Sequence, residues 1–230
     1  MQPFSLSKDL VVRPITQSER AKWVRLCNEH HYLGYRGSFG YSILYCAIIA
    51  NEWVALLSWA GCAFRLKSRD EFIGWSPEAR GARSNLVVNN NRFLILPSHQ
   101  KIPNLASSIL ARNIRRIQQD WYVRFHCSPL LVETFVDPER FKGTSYLAAG
   151  WKQIGLSKGF RRVPSGFEPN GKPKIIFVKT LEADALEALR NPAHIDALGR
   201  PTYLFDAFSL PIEGKDGLID VLKKIRNYSA

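Results

Sequence analysis

The sequence predicts an α/β protein, in which strands and helices alternate around one core, with a helical extension at the C-terminus. Three observations predict this class. Two apolar runs, ILYCAIIA and WVALLSWA, are separated by two residues; residues 104–124 form a long amphipathic segment; and helical and strand patterns alternate along the chain. Apolar residues make up 46% of the 230 residues, which is enough for a full hydrophobic core.

The first third of the chain predicts a helix, a loop and a hairpin. Residues 17–29, QSERAKWVRLCNE, have helical spacing, and Ser18 is a suitable N-cap. The Gly-rich loop HHYLGYRGSFGYS follows. The two apolar runs, 43–50 and 53–60, then flank Asn51 and Glu52, which predicts two buried strands joined by a two-residue turn.

The middle of the chain predicts a strand and a long helix. Residues 64–85 are polar and predict an irregular insert. Residues 86–96, LVVNNNRFLIL, predict a strand, and its three central Asn predict a bulge or an exposed stretch. After the loop PSHQKIP, Asn104 is an expected N-cap for a helix over 104–124. One helical face carries apolar side chains, namely Ala106, Leu110, Ile114, Ile117 and Trp121.

The last third predicts shorter elements. Residues 130–137, LLVETFVD, predict a strand, and FKGTSYLAAGWKQIG predicts a two-turn helix that ends at Gly150-Trp151. Strands are expected at 152–156 and 175–181, with the Gly/Pro/Arg-rich loop SKGFRRVPSGFEPNGKP between them. Helices are expected at 181–190 and 217–227. We expect residues 1–181 to form the core domain and residues 182–230 to form an extension packed on it.

Positive charge is concentrated in the predicted core domain. The net charge is +12, but residues 182–230 carry 6 Lys and Arg against 8 Asp and Glu. Residues 1–181 therefore carry 26 basic against 12 acidic side chains, a net charge of +14. Such an excess attracts polyanions, which favours nucleic acid as a partner, with DNA ahead of RNA. A solubility charge or a site for a small phosphorylated molecule are the alternatives.

Other sequence features exclude several classes of protein. The four cysteines form no Cys-x-x-Cys pair and predict neither a disulfide framework nor a zinc site, and we expect no metal. No apolar run is long enough to span a bilayer, and residues 1–14 lack the apolar centre of a signal peptide. The expected location is the cytoplasm.

The order of elements resembles the GNAT superfamily of acyl-CoA transferases, which have a mixed, mostly antiparallel sheet flanked by helices. In that superfamily a short helix after the fifth strand often carries Tyr-x-x-x-Gly-Phe, and Tyr146-Leu147-Ala148-Ala149-Gly150-Trp151 is similar to it. The resemblance implies that Tyr146 protonates the departing thiolate of coenzyme A, a role that suits a phenol.

The resemblance also implies an acyl-CoA cofactor, with its pyrophosphate near the start of the 104–124 helix. A helix N-terminus attracts anions, although the Gly-rich sequence typical of the superfamily is missing here. The residues implied as cofactor contacts are Leu96, Lys101, Asn104, Leu105, Ala106 and Ser107.

A second resemblance extends over residues 11–190. The strings HHYLG, RDEFIGW, NNRFLILP, ETFVDPERFKGTSY and PKIIFV are similar to the family that contains DruA, a component of the Druantia anti-phage defence system. The same domain occurs beside or fused to transposases. The resemblance implies a role in defence or mobile DNA, with other proteins of such a system as possible partners. ETFVDPERFKGTSY is also similar to phage Mom-type proteins, which modify adenine in DNA.

Four residues are candidates for catalysis, each with a structural alternative. Tyr146 is a general acid or packs beside Trp151. Glu133 is a desolvated general base or the partner of a nearby Arg. Asp137 precedes Pro138 and is expected to shape a turn, and His31 transfers protons or packs a loop onto the sheet edge.

A further set of basic, amide and aromatic residues is suited to nucleic acid, with ordinary surface roles as the alternative. This set comprises Tyr32, Trp75, Arg80, Arg83, Asn90, Arg92, Arg112, Arg116, Lys158, Arg161 and Arg162. Three functions are compatible with these patterns: an acyl-CoA transferase acting on nucleic acid, a non-catalytic nucleic-acid-binding module, and, last, a nuclease.

Overall fold

The computed structural model describes residues 9–191, apart from residues 39, 64, 164, 165 and 170, and shows a mixed sheet with helices on both faces. The strands are Val11–Pro14 (β1), Ser42–Ile49 (β2), Glu52–Gly61 (β3), Val87–Ile95 (β4), Leu131–Val136 (β5), Lys152–Leu156 (β6), Phe160–Val163 (β7), Gly166–Pro169 (β8) and Ile175–Thr180 (β9). The helices are Arg20–His30 (α1), Lys67–Ile73 (α2), Pro77–Arg83 (α3), Leu105–Phe125 (α4), Thr144–Ala148 (α5) and Ala185–Arg190 (α6).

Seven strands form one sheet in the order β1-β2-β3-β4-β5-β9-β6, and β7 and β8 form a separate hairpin. Every pair in the sheet is antiparallel except β4 with β5, which run parallel. The mixed, mostly antiparallel sheet flanked by helices is therefore confirmed. The predicted helix at 217–227 lies outside the described residues.

The sheet separates two hydrophobic clusters. On one face, α1 places Trp23 and Cys27 against β2 and β3, and the indole N–H of Trp23 donates to the carbonyl of Tyr45 at 2.9 Å. The larger cluster lies on the other face, where the buried side chains of α4 pack. There the indole N–H of Trp59 donates to the side-chain oxygen of Asn113, which ties β3 to α4.

The hairpin and the long helix are confirmed, with shifts at their ends. The turn between β2 and β3 consists of Ala50 and Asn51, one residue earlier than predicted, and both have positive φ (46° and 66°), as a two-residue hairpin turn of this hand requires. Asn104 stands at the N-cap of α4, but it adopts a left-handed conformation and its side chain makes no cap hydrogen bond. In α1 the N-cap is Glu19 and not Ser18, whose hydroxyl pairs with Thr16.

The polar insert is more ordered than the sequence predicts. It contains two short helices, α2 and α3, instead of irregular chain. Gly74, with φ of 74°, ends α2, and the Ser76 hydroxyl accepts from the N–H of Ala79 to cap α3, whose first residue is Pro77. Ser followed by Pro is a helix-start signal that the high polar content obscured. The strand β1 and the β7–β8 hairpin were likewise not predicted.

Gly143 is a position where the fold requires glycine. Its φ is +72°, and a Cβ there would lie 2.4 Å from the ring of Phe177, which is buried in the core. Gly171 has a similar φ of +63°, but no atom of the described residues lies within 4 Å of such a Cβ. The two positions therefore separate backbone strain from steric overlap.

We predict that Gly143→Ala lowers the free energy of unfolding by about 2–4 kcal/mol, because left-handed strain adds to overpacking against Phe177. Gly171→Ala is the matched control and should cost about 1–2 kcal/mol, the strain alone. Urea denaturation of both variants measures the difference. Equal losses of unfolding free energy in the two variants would show that the ring of Phe177 moves aside at no measurable cost.

Candidate active site where β4 and β5 part

The site begins where the two parallel strands separate. β4 and β5 pair at only three positions, Val87 with Leu131, Val88 with Val132 and Asn89 with Glu133, although both strands continue beyond them. On its other side β4 contains a bulge, since Ser58 pairs with Arg92 and Trp59 with Asn90, which leaves Asn91 as the extra residue. Of the two alternatives predicted from the three Asn, a bulge or an exposed stretch, the structure shows the bulge. A bulge bends its strand, and here β4 turns away from β5.

Side chains bridge the strands beyond the last backbone pair. The hydroxyl of Thr134 donates to the backbone carbonyl of Asn90 at 2.9 Å, where a strand neighbour would otherwise bond. The phenol of Tyr146 donates to the side-chain oxygen of Asn90 at 2.8 Å. Tyr146 is 8% exposed, and burial raises the pKa of its hydroxyl well above the ordinary value. The phenol therefore keeps its proton at neutral pH.

The short helix α5 holds Tyr146 in this position. Gly143 and Gly150, both with positive φ, stand at its two ends, and the N–H of Trp151 bonds back to the carbonyl of Tyr146 at 3.0 Å. The Tyr146 ring meets those of Trp151 and Phe177, with centroids 5.1 and 5.8 Å away. The ring of Tyr146 therefore packs beside Trp151, as one of the two alternatives predicted, and its hydroxyl faces the parting strands. Its role as a general acid stays a prediction.

Glu133 forms a buried ion pair instead of facing an opening. Both Glu133 and Arg69 are 0% exposed, and their side chains meet at 3.1 Å. The backbone N–H of Ala63 donates to the other carboxylate oxygen at 2.8 Å, and Arg69 also donates to the carbonyl of Ala63 and to Asp70. Burial raises the pKa of Glu133, while Arg69 opposes that rise. With both oxygens engaged and no exposure, Glu133 ties β5 to the segment after β3.

Asp137 and His31 lie apart from Tyr146 in the hydrogen-bond network of the described residues. One Asp137 oxygen accepts from the N–H of Glu139 at 3.1 Å, which shapes the turn after β5. The Nδ1 atom of His31 accepts from the N–H of Leu33 at 3.2 Å, so the neutral ring carries its proton on Nε2. Burial, and then the nearby Arg92 and Lys174, lower the pKa of His31 to about 4. His31 is therefore a hydrogen-bond donor at neutral pH.

The segment implied as a phosphate site leads from β4 into α4. Pro97–His99 forms a 3-10 turn. The N–H groups of His99, Ile102 and Leu105 donate to backbone carbonyls of the same loop, three residues earlier in each case. Leu96 is buried and Lys101 is exposed. The first N–H groups of a helix have no partner within it. Those of Ala106 and Ser107 therefore point out of the N-terminus of α4, where a phosphate would accept from them.

The structure divides the predicted nucleic-acid residues into interior and surface groups. Trp75, Arg83 and Asn90 are buried, and Arg83 donates to the carbonyl of Ala188. The burial of these three side chains corrects the expectation that they make contacts at the surface. Others are partly engaged: Arg80 lies 3.4 Å from Asp70, Arg92 donates to the carbonyl of Gly34, and Arg116 pairs with Asp120 and with the carbonyl of Val12.

The remaining members are Tyr32 and Lys158, which are exposed, Arg112, which is half-buried, and Arg161 and Arg162, which lie on β7. Three surface residues beside Tyr32 were missed by the sequence analysis, namely Leu33, Arg140 and Phe141. The structure exposes them next to or against Tyr32. No sequence pattern marks them, because residues 32 and 141 are brought together only by the fold.

A mixed sheet whose central strands part beside a short tyrosine-bearing helix, with a long helix after β4, has the arrangement implied by the GNAT resemblance. Within this class the chain belongs to the family described as Druantia protein DruA, whose sequence model matches residues 6–164. Druantia is an anti-phage defence system, and the family is thus defence-associated. No curated protein sequence matches the chain.

Several solved acetyltransferases are similar in structure. An aminoglycoside acetyltransferase in complex with paromomycin and acetyl-CoA has a TM-score of 0.49 and 16% identity, over 81% of this chain and 100% of that one. The Escherichia coli ribosomal-protein-S18-alanine N-acetyltransferase has a TM-score of 0.48 and 8% identity, over 75% of this chain and 94% of that one. A GNAT-family acetyltransferase from Streptococcus pneumoniae has a TM-score of 0.49 and 11% identity, over 76% of this chain and 100% of that one.

Two further observations concern the described residues as a whole. No helix there is long and apolar enough to cross a membrane. Nor does the described part of the chain bring three or more His, Cys, Asp or Glu side chains together in a way that could hold a metal ion.

The buried ion pair yields a test of its structural role. We predict that Arg69→Met lowers the free energy of unfolding by about 3–5 kcal/mol, because it leaves the Glu133 carboxylate buried without its partner. The double variant Arg69→Met with Glu133→Gln should recover part of that loss, since no charge is then stranded. Lys67→Ala, which breaks an exposed pair with Glu71, is the control and should change it by less than about 1 kcal/mol. A loss no larger than that of the control would disprove a tight buried pair.

The environment of His31 yields a pH dependence. The pKa of about 4 in the folded chain lies below the ordinary value of 6.5. As pH falls the unfolded chain therefore binds the proton first, and the stability contributed by the neutral ring is complete above about pH 6.5 and lost as pH falls toward 4. We predict that His31→Gln makes the decline of unfolding free energy over this range shallower.

An NMR titration of the imidazole measures the same property directly, with the exposed His126→Gln variant as the matched control for loss of a histidine. A His31 ring that gains its proton near pH 6.5 would contradict the buried, cation-flanked environment.

Proposed function

We propose that the chain is an acyl-CoA-dependent transferase that modifies nucleic acid in anti-phage defence. One observation carries the proposal: β4 and β5 part after three residue pairs, with the Tyr146 phenol where they separate. Residues 90–95, six of the nine in β4, then lack a strand neighbour on that side, although β4 lies inside the sheet. Apart from the carbonyl of Asn90, which Thr134 engages, the backbone groups on that side are proposed to pair with a ligand that has amides of its own.

The residues around the parting strands fit such a ligand. Buried side-chain oxygens of Asn89 and Asn91, and the indole N–H of Trp151, have no hydrogen-bond partner among the described residues. A buried polar atom without a partner is costly, and a polar ligand would relieve it. The β4 edge would hold the pantetheine amides, and the N-terminal turn of α4, with Lys101, would hold the pyrophosphate.

The chain's own chemistry centres on Tyr146. A bound acyl-CoA supplies an activated acyl group on a thiolate leaving group. Because burial keeps the phenol protonated, its hydroxyl holds a proton for the sulfur and would exchange Asn90 for that partner. The attacking group of the acceptor must lose its own proton elsewhere, because Glu133 is fully paired in the interior. The acceptor proton would pass to solvent.

Charge supports nucleic acid as the acceptor. The net charge of +14 over residues 1–181 favours a polyanion over a neutral or cationic acceptor. Defence and mobile-element systems act on DNA and RNA, which fits the family. DNA is the preferred acceptor, and other proteins of the defence system are the expected partners, with the cytoplasm as the site of action.

A second candidate is a non-catalytic nucleic-acid-binding module on the same fold. The observation in its favour is that both catalytic candidates in the core are already engaged: Tyr146 bonds to Asn90, and Glu133 to Arg69 and Ala63. Under this alternative, the basic surface acts without acyl-CoA.

Calorimetry with acetyl-CoA separates the two candidates. We predict binding to the wild-type chain, and equal binding to Tyr146→Phe, because the ring and its packing remain. Transfer of labelled acetyl to DNA should fall about 100-fold or more in Tyr146→Phe, the usual loss on removing a general acid. Tyr122→Phe, on the exposed end of α4, is the matched control and should transfer as the wild type does.

Unchanged transfer by Tyr146→Phe would remove its catalytic role. No binding of millimolar acetyl-CoA to the wild-type chain would exclude the transferase and leave the binding module.

A further inference from the structure

An exposed aromatic cluster lies on the surface near the parting strands. It consists of His31, Tyr32, Arg140 and Phe141, and we call it the Tyr32–Phe141 cluster. Phe141 is 55% exposed and Tyr32 is 38% exposed, and Leu33, next in the chain, is 46% exposed. These are three of the eight large hydrophobic side chains that are exposed in the described part of the chain. Large apolar groups gathered at the surface mark binding sites more often than chance exposure.

The rings are arranged as a supported stack. The His31 and Tyr32 rings stack with centroids 5.0 Å apart and planes at 22°, and Phe141 leans on Tyr32 at 6.0 Å and 53°. The guanidinium of Arg140 lies 4.8 Å from the Tyr32 centroid. Tyr32 is therefore largely occupied by protein groups. Phe141 is the most exposed of the three residues, and more than half of its surface is accessible to a ligand.

Cations surround the cluster in excess of acids. Arg140 lies on Tyr32, while Arg92 and Lys174 are close enough to His31 to lower its pKa. Two acids lie nearby and each faces a cation: Asp137 lies 3.9 Å from Arg140, and Glu139 pairs with Lys172 at 2.9 Å. Arg92 and Lys174 are present in addition to these two pairs. The surface therefore combines an open aromatic face with net positive charge.

The cluster joins the two sides of the parting strands. Arg92 lies on β4 and donates to the carbonyl of Gly34, which fixes the loop that carries Tyr32 against that strand. Phe141 lies in the turn that follows β5 and leads into α5. Phe141 therefore lies against a loop that is fixed to β4, and it is three residues before α5, which carries Tyr146.

We propose that Phe141, supported by Tyr32 and Arg140, is a stacking platform for an unpaired base of single-stranded nucleic acid. An aromatic face stacks on a base only when the base has left the duplex stack, and cations beside it neutralise the adjoining phosphates. This inference rests on the proposed function in naming nucleic acid as the acceptor, but its test needs no acyl-CoA. Its failure is therefore distinguishable from failure of the transferase.

The test is fluorescence anisotropy with three probes of equal length: a thymidine 20-mer, the same strand with abasic sites, and a duplex. We predict that Phe141→Ala weakens binding of the thymidine strand about 5- to 150-fold, the range that base stacking of about 1–3 kcal/mol produces. The abasic strand should bind the wild type and Phe141→Ala equally, because its charge is intact and its bases are absent. The duplex should bind the wild type more weakly than the thymidine strand.

Two further variants separate stacking from general apolar contact. Phe141→Trp keeps an aromatic face and should retain binding, whereas Phe141→Leu keeps apolar area and should lose it nearly as Phe141→Ala does. Tyr122→Ala, an exposed aromatic on α4, is the matched control and should bind as the wild type does. Thermal unfolding of each variant confirms that the exposed position leaves the fold intact.

Equal binding of the thymidine strand by wild type and Phe141→Ala would overturn the proposal. So would full retention by Phe141→Leu, which would indicate an apolar peptide as the occupant, or equal wild-type affinity for the thymidine and abasic strands, which would indicate attraction by charge alone.

Discussion

The parting of β4 from β5 is the constraint on which the rest of the structure depends. One extra residue, Asn91, bends β4, so the two parallel strands share only three pairs. Inside a sheet, backbone groups left without a neighbour must be satisfied in another way. Thr134 meets part of that demand by donating to the backbone carbonyl of Asn90, and Tyr146 donates beside it to the side-chain oxygen of the same residue. The candidate site consists of what remains open around these bonds.

The buried charges serve this geometry. Arg69 reaches from α2 to Glu133 on β5 and to the carbonyl of Ala63 after β3. Its guanidinium, with five donors in a fixed plane, can connect these separate segments at once. The insert of residues 64–85 is therefore part of the scaffold beside the opening, and the acid that the sequence offered as a base is the anchor of that scaffold.

The sequence is informative where a local pattern has a single physical cause. Two apolar runs around a short polar step indicate a hairpin, three Asn in a strand indicate a bulge or an exposed stretch, and glycines around Tyr146 indicate a short helix. The structure confirms all three elements. The partner of Glu133 was not predictable, because a buried Arg within a polar insert has the same sequence pattern as a solvated one. The contact of Tyr32 with Phe141 joins segments more than a hundred residues apart, and no local pattern predicts it.

The strand order also has a consequence for folding. β1, β2, β3 and β4 are neighbours in sequence order, and a two-residue turn joins β2 to β3, so the β2–β3 hairpin closes locally. The seam between β4 and β5 joins Val87 to Leu131 across the whole of α4. Contacts between residues distant in sequence cost the most loop-closure entropy and form slowly. The opening between β4 and β5 therefore forms only when strands β1 to β4 and strands β5, β6 and β9 have all folded. A protein in which either group of strands is misfolded would lack the site.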